Sequence, residues 1–333
     1  MNKNIKSTIL VTGSEGNIGT YVIKSLHKFY PEAHLIRIFY TGDKRDFSEE
    51  GSENEKIYKG DLRNPLFVKK VFQENSIDYV VHMAARLYGV AGFNKDVYGL
   101  FSNDIECLLN VLDNSMGIKK IIYFSSSMIY ESSEEVPFTE ELTETILPPR
   151  SSYGLTKFFG EKAVKYFSQQ FGIDYTIWRP FNVVSPLEDH NRESGHVFID
   201  FYRKLIVEKV SEIEIYGSGK QVRCFTWVED VVDGVAKFLT DKRTSKEIFN
   251  IGSSEPKNIL ELKDALIEIG KKNNLLTKEY NPKTITNKTF FEVDVQLRIP
   301  DVSKIKRRLG WECNTDFKTC FEKFIDYKQH HAY

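Results

Sequence analysis

The chain has 333 residues, 41% hydrophobic and 28% charged, enough for a sizeable core in one large domain or two intimate ones. Lysine plus arginine number 46 against 47 aspartate plus glutamate, so nothing in the net charge points to nucleic acid or an anionic membrane. No stretch reaches the roughly 18 apolar residues of a membrane span, and Met1 to Lys6 lacks the apolar core of a signal peptide, so a cytoplasmic location is expected. Cys107, Cys224, Cys313 and Cys320 form no Cys-x-x-Cys pair. They read as reduced thiols, with no disulfide frame and no metal site.

Thr8 to Thr12 is a short β-branched run typical of a strand buried on both faces. It runs into Gly13-Ser-Glu-Gly16-Asn-Ile-Gly19 and then a helical pattern, Tyr21 to Phe29, which Pro31 ends. A strand, a glycine turn and a helix in this order match the opening of a dinucleotide-binding unit. Gly13 allows the tight turn, Gly16 lets a pyrophosphate approach the backbone, and Gly19 lets helix and strand pack closely. His34 to Tyr40 reads as the second strand. Phe39 and Tyr40 stand where an acidic residue usually takes the adenosine ribose and marks NAD. Asp43, Lys44 and Arg45 follow, so NAD is expected and NADP stays open.

Further strands are predicted over Lys56–Gly60, Asp78–Met83, Lys119–Phe124 and Asp174–Trp178. Between them lie a helix started by Asn64-Pro65, a long helix over Asp96–Met116, and one over Ser152–Phe171 with Gly172 as C-cap. The alternation implies a doubly wound parallel sheet, a Rossmann-type α/β fold. The fifth strand delivers Ser125-Ser126-Ser127 to its carboxyl end, where ligands bind in open sheets. Glu131 to Pro149 reads as a long polar loop. After Asn182 the regularity breaks. A helix is predicted over His196–Lys209, strands over Ile213–Tyr216 and Val222–Val228, and a helix over Glu229–Leu239. A strand over Ile248–Ile251 returns to the sheet, an amphipathic helix covers Asn258–Lys272, and a short strand covers Phe290–Val295. Helices over Val302–Leu309 and Asp316–Gln329 close the chain. The expected division is 1–181 plus about 226–254 for the dinucleotide and 182–225 plus 255–330 as a smaller mixed α/β substrate region.

Tyr153 and Lys157 are four apart, so on a helix they share a face. A free tyrosine titrates at about 10 and is a poor base at neutral pH, and a neighbouring ammonium favours its phenolate. Tyr-x-x-x-Lys is thus a compact way to build a general acid/base for a hydroxyl or carbonyl.

Taken in order, the Gly13/Gly16/Gly19 turn, Asp61-Leu62, His82-Met-Ala84-Ala85, Ser125 to Tyr130, Tyr153-x-x-x-Lys157, Arg179-Pro-Phe-Asn182, Arg223 before Phe225 to Asp230, Asn250-Ile-Gly252 and Arg298 before Pro300-Asp301 resemble the extended short-chain dehydrogenase/reductase family. Specifically, the chain resembles the NAD-dependent nucleotide-sugar epimerases and dehydratases over essentially its whole length. The resemblance implies that Gly13, Gly16, Asn17, Ile18 and Gly19 cradle the pyrophosphate. Asp61 and Leu62 would flank the adenine, and Ala84 and Ala85 would lie along the cofactor. Tyr153 would be the acid/base. Lys157 would hold the nicotinamide ribose and depress the Tyr153 pKa. Counting back from Tyr130 gives Ser126 as the catalytic serine, with Ser127 the alternative. Asn182, Arg223 and Arg298 would grip a nucleotide diphosphate, for which the planar guanidinium fork suits phosphate oxygens. Leu87, Tyr88 and His196 would neighbour the sugar. A homodimer through the helices over 96–116 and 152–171, and a place in polysaccharide biosynthesis, also follow from the resemblance.

In similar 4,6-dehydratases an acidic pair follows the serine. Sugar-acid decarboxylases have a glutamate there, and GDP-sugar 3,5-epimerases a cysteine. This chain has Met128, which neither gives nor takes a proton. Transient oxidation at C4, with the hydride returned to the other face, needs no further acid/base. C4 epimerisation of a nucleotide-diphosphate sugar is therefore the leading expectation. A 4-reductase or dehydrogenase, a GDP-sugar 3,5-epimerase (suggested by Gly217-x-Gly219-x-x-x-Arg223) and a 4,6-dehydratase are the alternatives.

Overall fold

The computed structural model describes residues 6–40, 53–85, 96–188, 195–287 and 295–331. β1 (Thr8–Thr12) feeds α1 (Gly19–Phe29), then β2 (His34–Phe39), β3 (Glu55–Lys59), α2 (Pro65–Glu74) and β4 (Tyr79–His82). α3 (Val97–Asp113), β5 (Lys120–Phe124), α4 (Ser152–Phe171) and β6 (Asp174–Pro180) follow. Next come β7 (Val183–Val184), α5 (Val197–Tyr202), β8 (Glu212–Tyr216), β9 (Val222–Arg223), β10 (Thr226–Trp227) and α6 (Val228–Lys237). β11 (Glu247–Ile251), β12 (Lys257–Asn258), α7 (Ile259–Lys272), β13 (Lys283–Asn287), β14 (Leu297–Arg298), α8 (Ser303–Leu309) and α9 (Phe317–His330) complete the described chain.

Among the described residues seven strands form one sheet in the order β11-β6-β5-β4-β1-β2-β3. Every pairing in it is parallel. The Rossmann-type sheet expected from the alternation is present, with β11 returning to its edge beside β6. Side chains alternate between two cores because a strand turns successive residues to opposite faces. Ile9 and Val11 pack with Val22 of α1, Val231 of α6 and Leu262 of α7. Leu10, between them, packs with Val68 of α2, Leu108 of α3 and Val164 of α4.

Local chemistry sets the helix ends. The Asn64 side chain accepts from the Leu66 and Phe67 amides, with Pro65 at the first turn. Asn258 and Glu261 form a capping box on α7. α4 starts at Ser151, whose Oγ accepts from the Gly154 amide, and stops at Gly172 in the left-handed conformation.

Two expectations need correction. The polar stretch after Glu131 is not all loop, because Glu140–Glu144 forms a 3-10 turn, as does Ser127–Tyr130 before it. The helix expected over His196–Lys209 is α-helical only to Tyr202 and widens into a π-turn over Arg203–Val207. The strand expected over Phe290–Val295 falls almost wholly outside the described residues. Sequence reading missed β13, a mostly exposed strand that pairs in parallel with β8. No helix among the described residues is long and apolar enough to cross a membrane.

Candidate active site

Parallel strands place all their carboxyl ends on one side of the sheet, so the residues just past β1, β4, β5 and β6 share one crevice. Past β1, Gly13 has φ +69°, a conformation that L side chains rarely adopt. A Cβ at Gly19 would lie 2.1 Å from the Gly13 carbonyl oxygen, so only glycine lets α1 begin this close to the turn. Ile18 precedes α1 and no side chain caps that helix; the Thr20 amide is taken by the Gly16 carbonyl at 3.1 Å, and the positive end of the helix faces the turn, where an anion is favoured. Gly13 also faces the Ala84 backbone across the crevice, at 3.0 Å from where its Cβ would be. Asn17 is tied through its carbonyl to the Ser185 hydroxyl, 2.9 Å away. A tight glycine turn, an uncapped helix start and a small-residue wall fit a dinucleotide pyrophosphate. Asp61 is gripped by Arg63, whose Nε lies 3.0 Å from both carboxylate oxygens, and Leu62 beside it is buried. Leu87 and Tyr88 lie outside the described residues, as do Asp43, Lys44 and Arg45.

The catalytic candidates come together. β5 ends at Phe124, and two residues further Ser126 Oγ accepts from the Met128 amide at 3.2 Å. Its hydroxyl also hydrogen-bonds the Tyr153 phenol. One turn along α4, Lys157 is buried, donates to the Phe124 carbonyl at 3.0 Å, and lies 5.8 Å from the Tyr153 ring centroid. Gly160 allows this seating, since a Cβ there would fall 2.0 Å from the Tyr123 hydroxyl.

Under them, His82 pairs through Nδ1 with Thr12 Oγ1 at 3.0 Å and stacks on Tyr123 with ring centroids 6.1 Å apart. Thr12 Oγ1 accepts from the Ala84 amide at 3.3 Å, so this polar layer also fixes the alanine wall. Burial, with Lys157 nearby, drives the His82 pKa down to about 3, and the imidazole stays neutral.

Burial dominates the electrostatics of the pair. Burial raises the Tyr153 phenol to about 12, against the pull of the Ser126 hydroxyl and of Arg298. The Lys157 ammonium is itself buried and directed to the Phe124 carbonyl. Burial lowers the Lys157 pKa, opposed by Asp104 and Glu161.

On the far side of the crevice, Asn182 sits at φ +37° just past β6 and receives a 3.4 Å hydrogen bond from Arg298. Arg298 and Arg223 are register partners on β14 and β9. Arg223 Nη1 donates to the Val222 and Val295 carbonyls at 2.8 and 2.7 Å. His196 pairs through Nδ1 with Glu188 at 2.7 Å, and that carboxylate raises its pKa while Arg298 lowers it. Arg298 thus lies electrostatically between Tyr153 and His196, linking the acid/base to the expected diphosphate grip.

Arg179 and Glu161 carry a scaffold that the sequence reading did not assign. The Arg179 guanidinium makes a two-pronged pair with Glu161 and also donates to the Tyr130 hydroxyl at 2.6 Å, the Glu140 carbonyl at 2.8 Å and Thr143 Oγ1 at 3.0 Å. Glu161 stands four residues after Lys157 on the same helix face, the signal that would have found it.

The sequence profile of the NAD dependent epimerase/dehydratase family matches residues 9–252. The chain is 30% identical over 284 residues to a UDP-glucuronate 4-epimerase of Thermodesulfobacterium geofontis, covering 84% of this chain and 80% of that one. It is 26% identical to a dTDP-D-glucose 4,6-dehydratase of Mus musculus, over 96% of this chain and 88% of that one. The crystal structure of a UDP-glucuronic acid 4-epimerase from Bacillus cereus, in complex with UDP-glucuronic acid and NAD, superposes with a TM-score of 0.82 at 26% identity, covering 97% of this chain and all (100%) of that one. The chain therefore belongs to the NAD-dependent epimerase/dehydratase family of extended short-chain dehydrogenase/reductases. It is an enzyme, and its cofactor is NAD.

Proposed function

We propose that the enzyme inverts C4 of a nucleotide-diphosphate hexose by transient oxidation at that carbon. Bound NAD supplies the acceptor, and then the donor, of the C4 hydride. Tyr153 takes the proton of the C4 hydroxyl and later returns one to the 4-keto oxygen. Ser126 holds that oxygen as charge develops on it. Lys157 keeps a positive charge beside the phenol and orients the nicotinamide ribose. Gly13, Gly16, Asn17, Ile18, Gly19, Asp61, Leu62, Ala84 and Ala85 hold the rest of the cofactor. Residues 182–225 and 255–330 carry the nucleotide sugar, with Asn182, Arg223 and Arg298 on the diphosphate. Without a 4-keto sugar released, the product is a nucleotide sugar again, a donor suited to polysaccharide assembly in the cytoplasm.

The observation that carries this choice of reaction is Met128. It is 4% exposed and stands beside Ser126, where elimination or C3/C5 inversion would need an acid/base. The exposed Tyr98 on α3 and Tyr166 on α4 support dimer formation through those helices. The purified protein should convert UDP-glucose, UDP-glucuronate or a related nucleotide hexose to its C4 epimer with no external NADH, as read by NMR of the sugar. A 4-keto-6-deoxy product, released CO₂ or consumption of added reduced cofactor would overturn the proposal.

A further inference from the structure

At the end of β2 Phe39 stands where an aspartate or glutamate acceptor for the adenosine ribose would be, and Asp43 beyond it lies outside the described residues. The glycine turn offers one instead. Glu15, immediately before Gly16, is 4% exposed. One of its oxygens, Oε1, accepts from Arg37 Nη2 at 2.6 Å and from the Ser14 hydroxyl at 3.1 Å. The other, Oε2, is buried with no hydrogen-bond partner among the described residues. A buried carboxylate oxygen left unpaired is costly, and such a vacancy points to a donor that arrives with a ligand.

Arg37 decides which ligand. An arginine near the end of β2 is the usual device for taking the 2′-phosphate of NADP. Here both terminal nitrogens are already engaged, Nη2 by Glu15 and Nη1 by Glu55 Oε2 at 2.6 Å. Glu55 is further paired with His27 on α1. The guanidinium therefore faces two carboxylates, each 5% exposed, and its positive charge is already offset by theirs. A 2′-phosphate, bringing close to two negative charges, would meet a cluster whose acidic charge already matches or exceeds its basic charge.

We infer that Glu15 accepts the hydrogen bond of the adenosine 2′-hydroxyl of NAD, and that the Glu15–Arg37 pair is what excludes NADP from this enzyme. The acidic selector has moved from the strand end to the turn, and Arg37 serves to hold it. The inference rests on the cofactor crevice and not on which sugar reaction is run there. A failed epimerase assay leaves it standing, and a failed binding test leaves the reaction untouched.

Titration calorimetry on the nucleotide-stripped full chain tests it, using NAD, NADP and 2′-deoxy-NAD. The wild-type protein should bind 2′-deoxy-NAD about tenfold or more weaker than NAD, the loss of one hydrogen bond to a charged group. NADP should bind at least as weakly. In Glu15→Gln, whose amide oxygen still accepts but carries no charge, the discrimination between NAD and 2′-deoxy-NAD should shrink. In Glu15→Ala, which frees Arg37, the NADP-to-NAD affinity ratio should rise at least tenfold. Wild-type binding of 2′-deoxy-NAD or NADP as tight as that of NAD overturns the inference, whatever the variants do. So does a folded Glu15→Gln that keeps the full discrimination between NAD and 2′-deoxy-NAD.

Discussion

Arg179 on β6 and Glu161 on α4 meet in a buried two-pronged ion pair, Nε to Oε1 at 2.8 Å and Nη2 to Oε2 at 2.6 Å. Their side chains are 0% and 3% exposed. Removing one member leaves the other as an uncompensated buried charge, which costs about 3–5 kcal/mol. Arg179→Met should therefore lose stability of that order in urea unfolding. The double variant Arg179→Met/Glu161→Met should recover most of it, since matched apolar replacement of a buried pair is often near neutral. Equal losses in the single and double variants would show that the pair is not the unit of stability.

Tyr153→Phe keeps the ring and deletes the proposed proton carrier. Turnover should fall by about 10²–10⁴ while NAD affinity stays within a factor of about two, because acid/base transfer is lost and the cradle is intact. Ser126→Ala should act in the same direction by a different route. It removes the donor that lowers the phenol, so the pH at which turnover rises should move upward. Stopped-flow reduction of the bound cofactor across pH checks both. An unmoved profile in Ser126→Ala would show that the serine does not tune the phenol.

His82 gives a pH signature of its own. Its imidazole titrates at about 3 in the folded chain, against about 6.5 for a free histidine. The unfolded chain therefore binds the extra proton first as the solution is acidified. The stability tied to a neutral His82 is complete above pH 6.5 and is lost progressively as pH falls toward 3. By pH 5 this one site should have cost about 2 kcal/mol. Urea unfolding of His82→Asn, compared with wild type at pH 7 and pH 5, should lack that increment.

Arg298→Ala removes a guanidinium that sits between Tyr153, Asn182 and His196. Affinity for a nucleoside diphosphate should drop about ten- to a hundredfold, the worth of a hydrogen bond to a charged group. NAD affinity should be unchanged. Calorimetry with uridine and guanosine diphosphates on both proteins would measure this, and equal affinities would remove Arg298 from the diphosphate grip.

The elements with strong local signals were legible. β1 is β-branched at every position but Leu10 and apolar from Ile9 to Val11, and α4 has a serine cap at one end and a left-handed glycine at the other. The crevice residues could be placed because parallel strands deliver their ends to one side. What escaped the sequence was set by tertiary contact. β13, Lys-Thr-Ile-Thr-Asn, has no apolar run and exists through its pairing with β8. The Thr12–His82–Tyr123 layer joins three strands, and no local pattern connects residues so far apart. The rise of the Tyr153 phenol on burial escaped because spacing says which groups share a helix face, while burial sets how far each is desolvated.

The register of β9 with β14 sets Arg223 directly beside Arg298. Like charges on adjacent strands repel, and here carbonyls accept from Arg223 while the Asn182 side chain accepts from Arg298. In the proposed reading a bridging dianion offsets that repulsion. A nucleoside diphosphate bearing no sugar should already tighten this corner of the molecule, and the hexose would then arrive at walls drawn together by its own handle.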